Sequence, residues 1–558
     1  MSASTLALPQ PTPAQLARGI AGAVPSDLSK SPLLGILGVI IGAGVVTLTS
    51  RMISLGLVDF KGHRGFGFDE SAWVGTAFDV GVMFIGPFTV YLGGVIAPRR
   101  ILLTSAALFT LIFAFLPSIH NYGLVLIAMV LAGLTSGTFY PLTLTFALRN
   151  IPLRYLPFTI ALYAAFVDGA VNIAPSLYGW YRDHLSWHWI FWNSAVITPL
   201  MMLCIYFGIP KSPPAREHGE APSFAGFLYA SAGLALILAA CEQGERLDWW
   251  RSGVFTALFA GGSFLLLCAV TRRLRGPNPL IDLPYLRNRD TILLATALFF
   301  FRFFLVTTII LIPQALAIHG FEPDQIGPSV IWTAASFVPL AFVVGVLLIS
   351  NVDPRLLIAT GFAGIAIASF LNTGMTSAWA AADFYRTEFL TGFGQCFAFI
   401  GLVSALILQG VFSGGLVKPQ KILTFSAFIH TVRIFGGTIG AILMGRFIAE
   451  REKLHSNLLG LHLQQGNWIA DGGIRQLTAG LFAKSSGMAQ AAGRAVDIVS
   501  ARLRLQAYTL SLIDGFYLVA WAAAVALVFV ALLRESPLRY GDLSAIQQLQ
   551  ATAKGEKK

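Results

Sequence analysis

Long apolar stretches alternate with short polar turns along almost the whole chain. With about 20 residues as the helix length that crosses ~30 Å of hydrocarbon, the pattern predicts fourteen spans. They fall at about 33–57, 71–95, 100–117, 122–147, 156–180, 188–209, 223–241, 252–272, 291–318, 327–350, 355–373, 382–411, 423–448 and 509–533. None shows the period-two alternation of a membrane barrel, so each reads as a helix that satisfies its own backbone groups in lipid. The organisation follows: a 1–32 tail, a six-helix bundle over 33–209, a 210–290 linker with two extra spans, a second six-helix bundle over 291–448 and 509–533, and a 534–558 tail. The interval 449–508 is too polar to span, yet 454–463 and 496–505 carry helical apolar spacing between glycine-rich joints.

Composition agrees with an all-α integral membrane protein. Of 558 residues, 56% are hydrophobic and 12% charged, against about 25% charged in a soluble domain. The net charge of +11 has a topological reason, because Lys and Arg gather in alternate turns: Arg99 and Arg100; Arg149 and Arg154; Lys211 and Arg216; 272–289; Arg355; Lys418 and Lys421; and the last tail. The positive-inside rule then puts both termini in the cytoplasm and 449–508 outside, and leaves no excess base to argue for nucleic acid. Cys204, Cys241, Cys268 and Cys396 lie in apolar runs without metal-like spacing and read as packing residues. No secretory signal is read in the first thirty residues. No phosphate-binding glycine loop, zinc-protease helix or nucleophile elbow appears, so neither ATP-driven transport nor a membrane enzyme is expected. No cofactor or metal is expected.

Ionisable residues within spans cost about 2.5–3.5 kcal/mol each on insertion scales and mark functional candidates. Asp168, twelve residues into its helix, and Arg302, eleven residues into its own, share mid-membrane depth and are expected to pair. Their attraction would be broken by protonation of Asp168 or by a charged substrate; a static ion pair is the alternative. Asn172 stands one turn from Asp168. Arg51 and Asp79 also match in depth and form a second candidate pair, with Arg51 snorkelling to the interface as the alternative. Glu388 and Asp514 lie in the outer thirds of two later helices. His430 and Arg433 share a helix face; His430 is a relay candidate against the ordinary reading of a hydrogen-bonded core histidine. Phe301, beside Arg302 in a phenylalanine-rich run, could offer a stacking surface to a planar ligand.

Specific phrases point to a family. Ala174-Pro175-Ser176-Leu177-Tyr178-Gly179, then Asp183 and Ser186-Trp187-His188-Trp189-Ile190-Phe191-Trp192-Asn193, resemble the fifth and sixth helices of the fourteen-helix drug:proton antiporters of the major facilitator superfamily, the EmrB/QacA-like group. Also similar are a Pro-Leu-x-Asp-Leu phrase within 272–289, Ile312-Pro313-Gln314, the Asp353-Pro354-Arg355 turn, the helix from Arg433 to Gly440, and Asp514-Gly515-Phe516. The resemblance implies a major facilitator fold with two linker helices, a midplane cavity, and proton-coupled export of small amphipathic or aromatic compounds across the inner membrane. It also makes Ala174, Pro175 and Gly179 a helix-packing motif, Asp353 and Arg355 gate residues and Gln314 a cavity residue, while Arg51 with Asp79 reads either as an outer gate or as a pair in which Asp79 takes the role of the family's helix-one acid. The chain departs from the family in three places: Thr49-Ser50-Arg51-Met52-Ile53-Ser54 stands where Asp-Thr-Thr-Ile-Val-Asn is usual, the turn from Gly94 to Arg100 is short and lacks its Asp, and Met129 replaces an arginine. An uptake permease of the same fold and a transport-inactive scaffold or sensor are the alternatives. The 449–508 interval reads either as a docking surface for a periplasmic adaptor, with an outer-membrane channel beyond it, or as a passive cap.

Overall fold

The computed structural model describes residues 32–150, 155–211, 224–275, 288–412, 419–463, 466–536 and 539–540. Most of the two tails and of the 210–222 stretch, the Pro-Leu-x-Asp-Leu phrase, Arg154 and Lys418 lie outside the described residues. Among the described residues, fourteen helices are long and apolar enough to cross a membrane. In the first half they are α1 (Leu33–Arg64), α2 (Phe68–Val95), α3 (Pro98–Ser118), α4 (Tyr122–Leu148), α5 (Leu156–His184) and α6 (Trp189–Gly208). The linker hairpin is α7 (Phe224–Gly244) and α8 (Gly253–Arg272). The second half has α9 (Arg289–Ala317), α10 (Pro323–Ile349), α11 (Pro354–Asn372), α12 (Ala381–Gly410), α13 (Ile422–Leu463) and α15 (Met488–Ala531). A short helix, α14 (Trp468–Phe482), stands between α13 and α15. No strand occurs among the described residues.

The 449–508 interval differs from the loop its polarity suggests. The last turns of α13 run on to Leu463 and α15 begins as early as Met488, so both helices continue well past the predicted spans and α14 packs against α15. Little of the apolar spacing is buried: Leu454, Leu458, Leu461, Leu463 and Val496 are exposed, while Ala491 and Ala495 of α15 are buried. Trp468 and Ile469 also stay exposed at the tip. We call this end of the bundle the α14 face, and the opposite end, where residues 32 and 540 lie, the terminal face.

Two seams join the halves. In the first, α5 packs along α10. A Cβ on Gly179 would lie 2.6 Å from the Asp324 Cα, and one on Gly327 2.5 Å from the Ser176 Cα, so backbone meets backbone there. Pro175 sits inside α5 and Ala174 is fully buried. In the second seam, α2 and α4 pack on α13. Leu423 and His430 of α13 cover Gly93 and Gly86 of α2, and the Thr145 hydroxyl donates to Ser426 Oγ at 3.2 Å. These contacts close the terminal half of that seam.

The ends of the halves are clasped in parallel ways. At the start of α3, Arg99 donates to the Tyr206 carbonyl at the end of α6 and lies over the Tyr206 ring. At the start of α11, Asp353 caps the helix through the Arg355 N–H, and Arg355 donates to the Leu533 carbonyl and to Glu535 beyond α15. On the α14 face, the α5–α6 turn carries the aromatic anchor, with Trp187 stacked on His188 and covered by the Arg64 guanidinium. Burial, with Arg64 and His63 alongside, lowers the His188 imidazole below its ordinary value, so it is neutral at pH 7.

Candidate functional site

A cavity of about 710 Å³ lies between α1, α2, α7, α9 and α13. It reaches from Thr47, Arg302 and Arg433 at mid-depth to Phe68, Glu245 and Arg246 at the α14 face. Toward the terminal face it ends where α13 covers α2. Its walls combine apolar side chains, Val46, Ile53, Val82 and Ile434 among them, with many polar ones, including Arg51, Asp79, Glu242, Arg302 and Arg433.

At the deep end stands the pair expected from depth. Arg302 Nη1 lies 3.7 Å from Asp168 Oδ1. That is an ion-pair distance without a hydrogen bond, and both Asp168 oxygens lack a hydrogen-bond partner although the residue is fully buried. One turn on, Asn172 Nδ2 donates to the Asp168 carbonyl and to Gln395 Oε1 at 3.2 Å, linking α5 to α12. Two turns further along α12, Glu388 is buried and accepts from Thr333 Oγ1 at 2.7 Å. Buried polar groups thus follow one another from Arg302 through α5 and α12 to α10, without an unbroken chain of hydrogen bonds, since Gln395 Nε2 and Glu388 Oε1 have no partner. Gln395 and Thr333 were not visible in the sequence because neutral amides and hydroxyls in an apolar helix do not stand out.

Arg433 extends from α13 across Tyr140, its guanidinium carbon 4.1 Å from the ring centre, and Nη1 donates to Thr47 Oγ1 at 3.2 Å. His430 lies one turn below, Nε2 against the Val82 carbonyl at 3.4 Å and the ring tilted on Tyr140. It occupies the hydrogen-bonded core setting named as its ordinary alternative.

The expected Arg51–Asp79 ion pair is not made. Pro313 has no N–H to give the Ile309 carbonyl four residues back, and Arg51 Nη2 takes that carbonyl at 3.0 Å. Asp79 instead lies against the Ser50 hydroxyl and the Glu242 carboxylate, and Glu242 against Thr76. Glu242 sits at the end of α7, where the sequence reads as a turn, and the structure brings it into the cavity wall. Next to it, Gln243 Nε2 donates to Thr76, Arg246 pairs with Asp69 of α2, and Glu245 accepts from Arg446 of α13 at 2.9 Å. The linker hairpin therefore touches both halves at the cavity mouth.

Five other candidates lie apart from the cavity. Phe301 does not line it: the ring is fully buried and stacked on Phe399 at 5.0 Å, because its side of α9 faces α12. Asp514 is held by Arg451 Nε at 2.5 Å and His455 Nε2 at 2.7 Å, and ties α15 to the extension of α13. Gln314 accepts from the Tyr508 hydroxyl at 3.1 Å, again at the root of those extensions. Asp353 and Arg355 are at the terminal face, as described.

Comparison with known proteins places this geometry. The family model of the Major Facilitator Superfamily matches residues 39–441. The chain is 24% identical to the "Probable multidrug resistance protein EmrY" of Escherichia coli over 83% of its own length and 87% of the relative's. It is 21% identical to the "Multidrug export protein EmrB" of the same organism, over 73% and 78%. It is also 21% identical to the "Fatty acid resistance protein FarB" of Neisseria gonorrhoeae, over 76% and 82%. Among solved structures, the proton:xylose symporter XylE superposes with a TM-score of 0.54 at 11% identity, covering 92% of this chain and 98% of that one, which speaks to the fold. The relatives are transporters, not enzymes. The chain is a multi-pass membrane transporter that belongs to the Major Facilitator Superfamily, in its fourteen-helix EmrB/QacA-like drug:proton antiporter family.

Proposed function

We propose that the chain exports small amphipathic or aromatic compounds from the cytoplasm in exchange for protons. The observation that carries the reading is the loose Asp168–Arg302 pair, whose Arg302 lines the deep end of a cavity between the two halves. With both termini cytoplasmic, as the basic turns favour, the α14 face is outside and the cavity is open outward. A proton arriving at Asp168 removes its charge and weakens the hold on Arg302. Deprotonation restores the pair and expels a ligand that competes for the same guanidinium. Occupancy by proton and by substrate are then coupled through the pair, as proton-driven transport needs, and exchange of one for the other rests on the likeness to export proteins. Relatives named for multidrug export and for fatty acid resistance support export of amphiphiles.

The α13 and α15 extensions, with α14 and its exposed Trp468 and Ile469, form a platform outside the membrane. In a cell with two membranes this platform suits a periplasmic adaptor leading to an outer-membrane channel. The test of the export reading is growth of a host stripped of its own efflux pumps, expressing the chain alone or with a co-encoded adaptor, across a panel of toxic organic compounds. The expected result is a raised inhibitory concentration, at least about fourfold, for a subset of amphipathic compounds; a fourfold change in steady-state level needs under ~1 kcal/mol of effective pumping work. Unchanged sensitivity to the whole panel, with the protein inserted at normal level, would point to uptake or a scaffold role.

A further inference from the structure

Of the four arginines that line the cavity, Arg246 is at its mouth beside Asp69, and three lie further in on three helices: Arg51 of α1, Arg302 of α9 and Arg433 of α13. Each of these three has a guanidinium N–H without an acceptor: Nε of Arg51, Nε and Nη1 of Arg302, and Nε of Arg433. Arg433 is only 4% exposed, so its unmatched donor is not served by bulk solvent, and a buried donor left unpaired is costly. Among the described residues, the one carboxylate that forms an ion pair with any of these three cations is Asp168, which is fully buried beside Arg302 and does not itself line the cavity. The acids on the far wall do not supply the balance. Asp79 and Glu242 face each other, with Ser50 and Thr76, and among the described residues neither forms an ion pair with an arginine. Helix α1 sharpens the asymmetry, since the phrase it resembles carries an acid where this chain has Thr49, and this chain adds Arg51 two positions on.

We propose that the deep end of the cavity is an anion site that makes this transporter selective for amphipathic anions, a carboxylate or sulfonate on an aromatic or aliphatic body. The proposal rests on the export reading and names its substrate class. A planar guanidinium presents paired N–H donors that match the oxygens of carboxylates and sulfonates, and Arg433 and Arg302 offer such edges from facing helices. Tyr140 beneath Arg433 holds that guanidinium in place. The body of the ligand lies along Val46, Ile53, Val82 and Ile434. A volume of about 710 Å³ falls in the range of ~300–1,000 Å³ usual for a drug-sized ligand.

The test is equilibrium binding to the full chain in lipid nanodiscs, with no gradient and with empty discs subtracted. The probes share one ring system and differ in the head: naphthalene-2-sulfonate, the neutral 2-naphthyl methyl sulfone, and 2-naphthyltrimethylammonium. The expected result is sulfonate binding at least about tenfold tighter than either other probe, a gap of ~1.4 kcal/mol. Arg433→Gln and, separately, Arg51→Gln should lower sulfonate affinity and leave the sulfone unchanged, with Arg433→Lys recovering part of the loss. Equal binding of the three, preference for the cation, binding of none, or an equal loss of all three probes in both Gln variants would overturn the proposal. Because binding is read without transport, anion preference without proton-driven flux would sink only the export reading. Proton-driven flux with cation preference would sink only the anion site.

Discussion

Asp168→Asn is expected to reduce transport to background while the protein still inserts. Asp168 is fully buried, and its carboxylate is the partner Arg302 has at the deep end of the cavity. Removing the acid leaves a buried guanidinium without its counter-charge, which costs about 3–5 kcal/mol when one partner of a buried pair is deleted. Two losses then coincide: the purified variant melts at a lower temperature, and the group that alternates between proton and pair is gone. Arg302→Gln is expected to destabilise in the same way. The double variant Asp168→Asn/Arg302→Gln separates the two effects, because replacing both charges removes the unpaired cation. It should recover most of the melting temperature and none of the transport. Wild-type flux in Asp168→Asn, or flux restored in the double variant, would show that the pair is a static brace.

The second large effect is expected at the α5–α10 seam. Gly179→Leu puts a branched side chain where a Cβ alone would already lie 2.6 Å from the Asp324 backbone. No flexible side chain can yield there, so α5 must move off α10. Overpacking of this kind costs about 1–3 kcal/mol. The cost falls on the seam along which the halves meet, so flux is expected to drop at least tenfold, and proteoliposomes holding the variant should leak protons. One turn further on, Arg182→Ala removes an exposed ion pair with Glu322 and is expected to be nearly silent, since such pairs contribute about 0–1 kcal/mol. Flux in Gly179→Leu equal to that of the wild type would mean that the contact has no part in transport.

The spans were legible because the number of apolar residues needed to cross a bilayer leaves little choice, and the Asp168–Arg302 pairing was legible because two costly charges share one depth. Depth, however, says nothing about which way a helix is turned. Arg51 and Asp79 match in height, yet a proline on α9 frees a carbonyl that draws Arg51 away. Phe301 stands beside Arg302 in sequence but 100° around the helix, facing α12 and not the cavity. Glu242 read as a turn residue because it ends an apolar run, and only the packing of α7 on α2 brings it to Asp79. Gln395 gave no signal of its own, being one neutral side chain in a long apolar helix whose partner, Asn172, is more than two hundred residues away. The helical spacing within 449–508 was readable, but the continuity of α13 and α15 through it was not, because polarity ends the predicted spans before the helices end.

The central claim is an obligatory exchange of substrate for protons, and flux in proteoliposomes tests it most directly. The chain is reconstituted with pyranine inside and an imposed pH gradient, and a compound from the resistance panel is followed at the same time. The account predicts that the compound moves against its own gradient, opposite to the protons, that a protonophore stops it, and that Asp168→Asn removes both fluxes. Movement of compound and protons in the same direction, or substrate flux indifferent to the gradient, would contradict it.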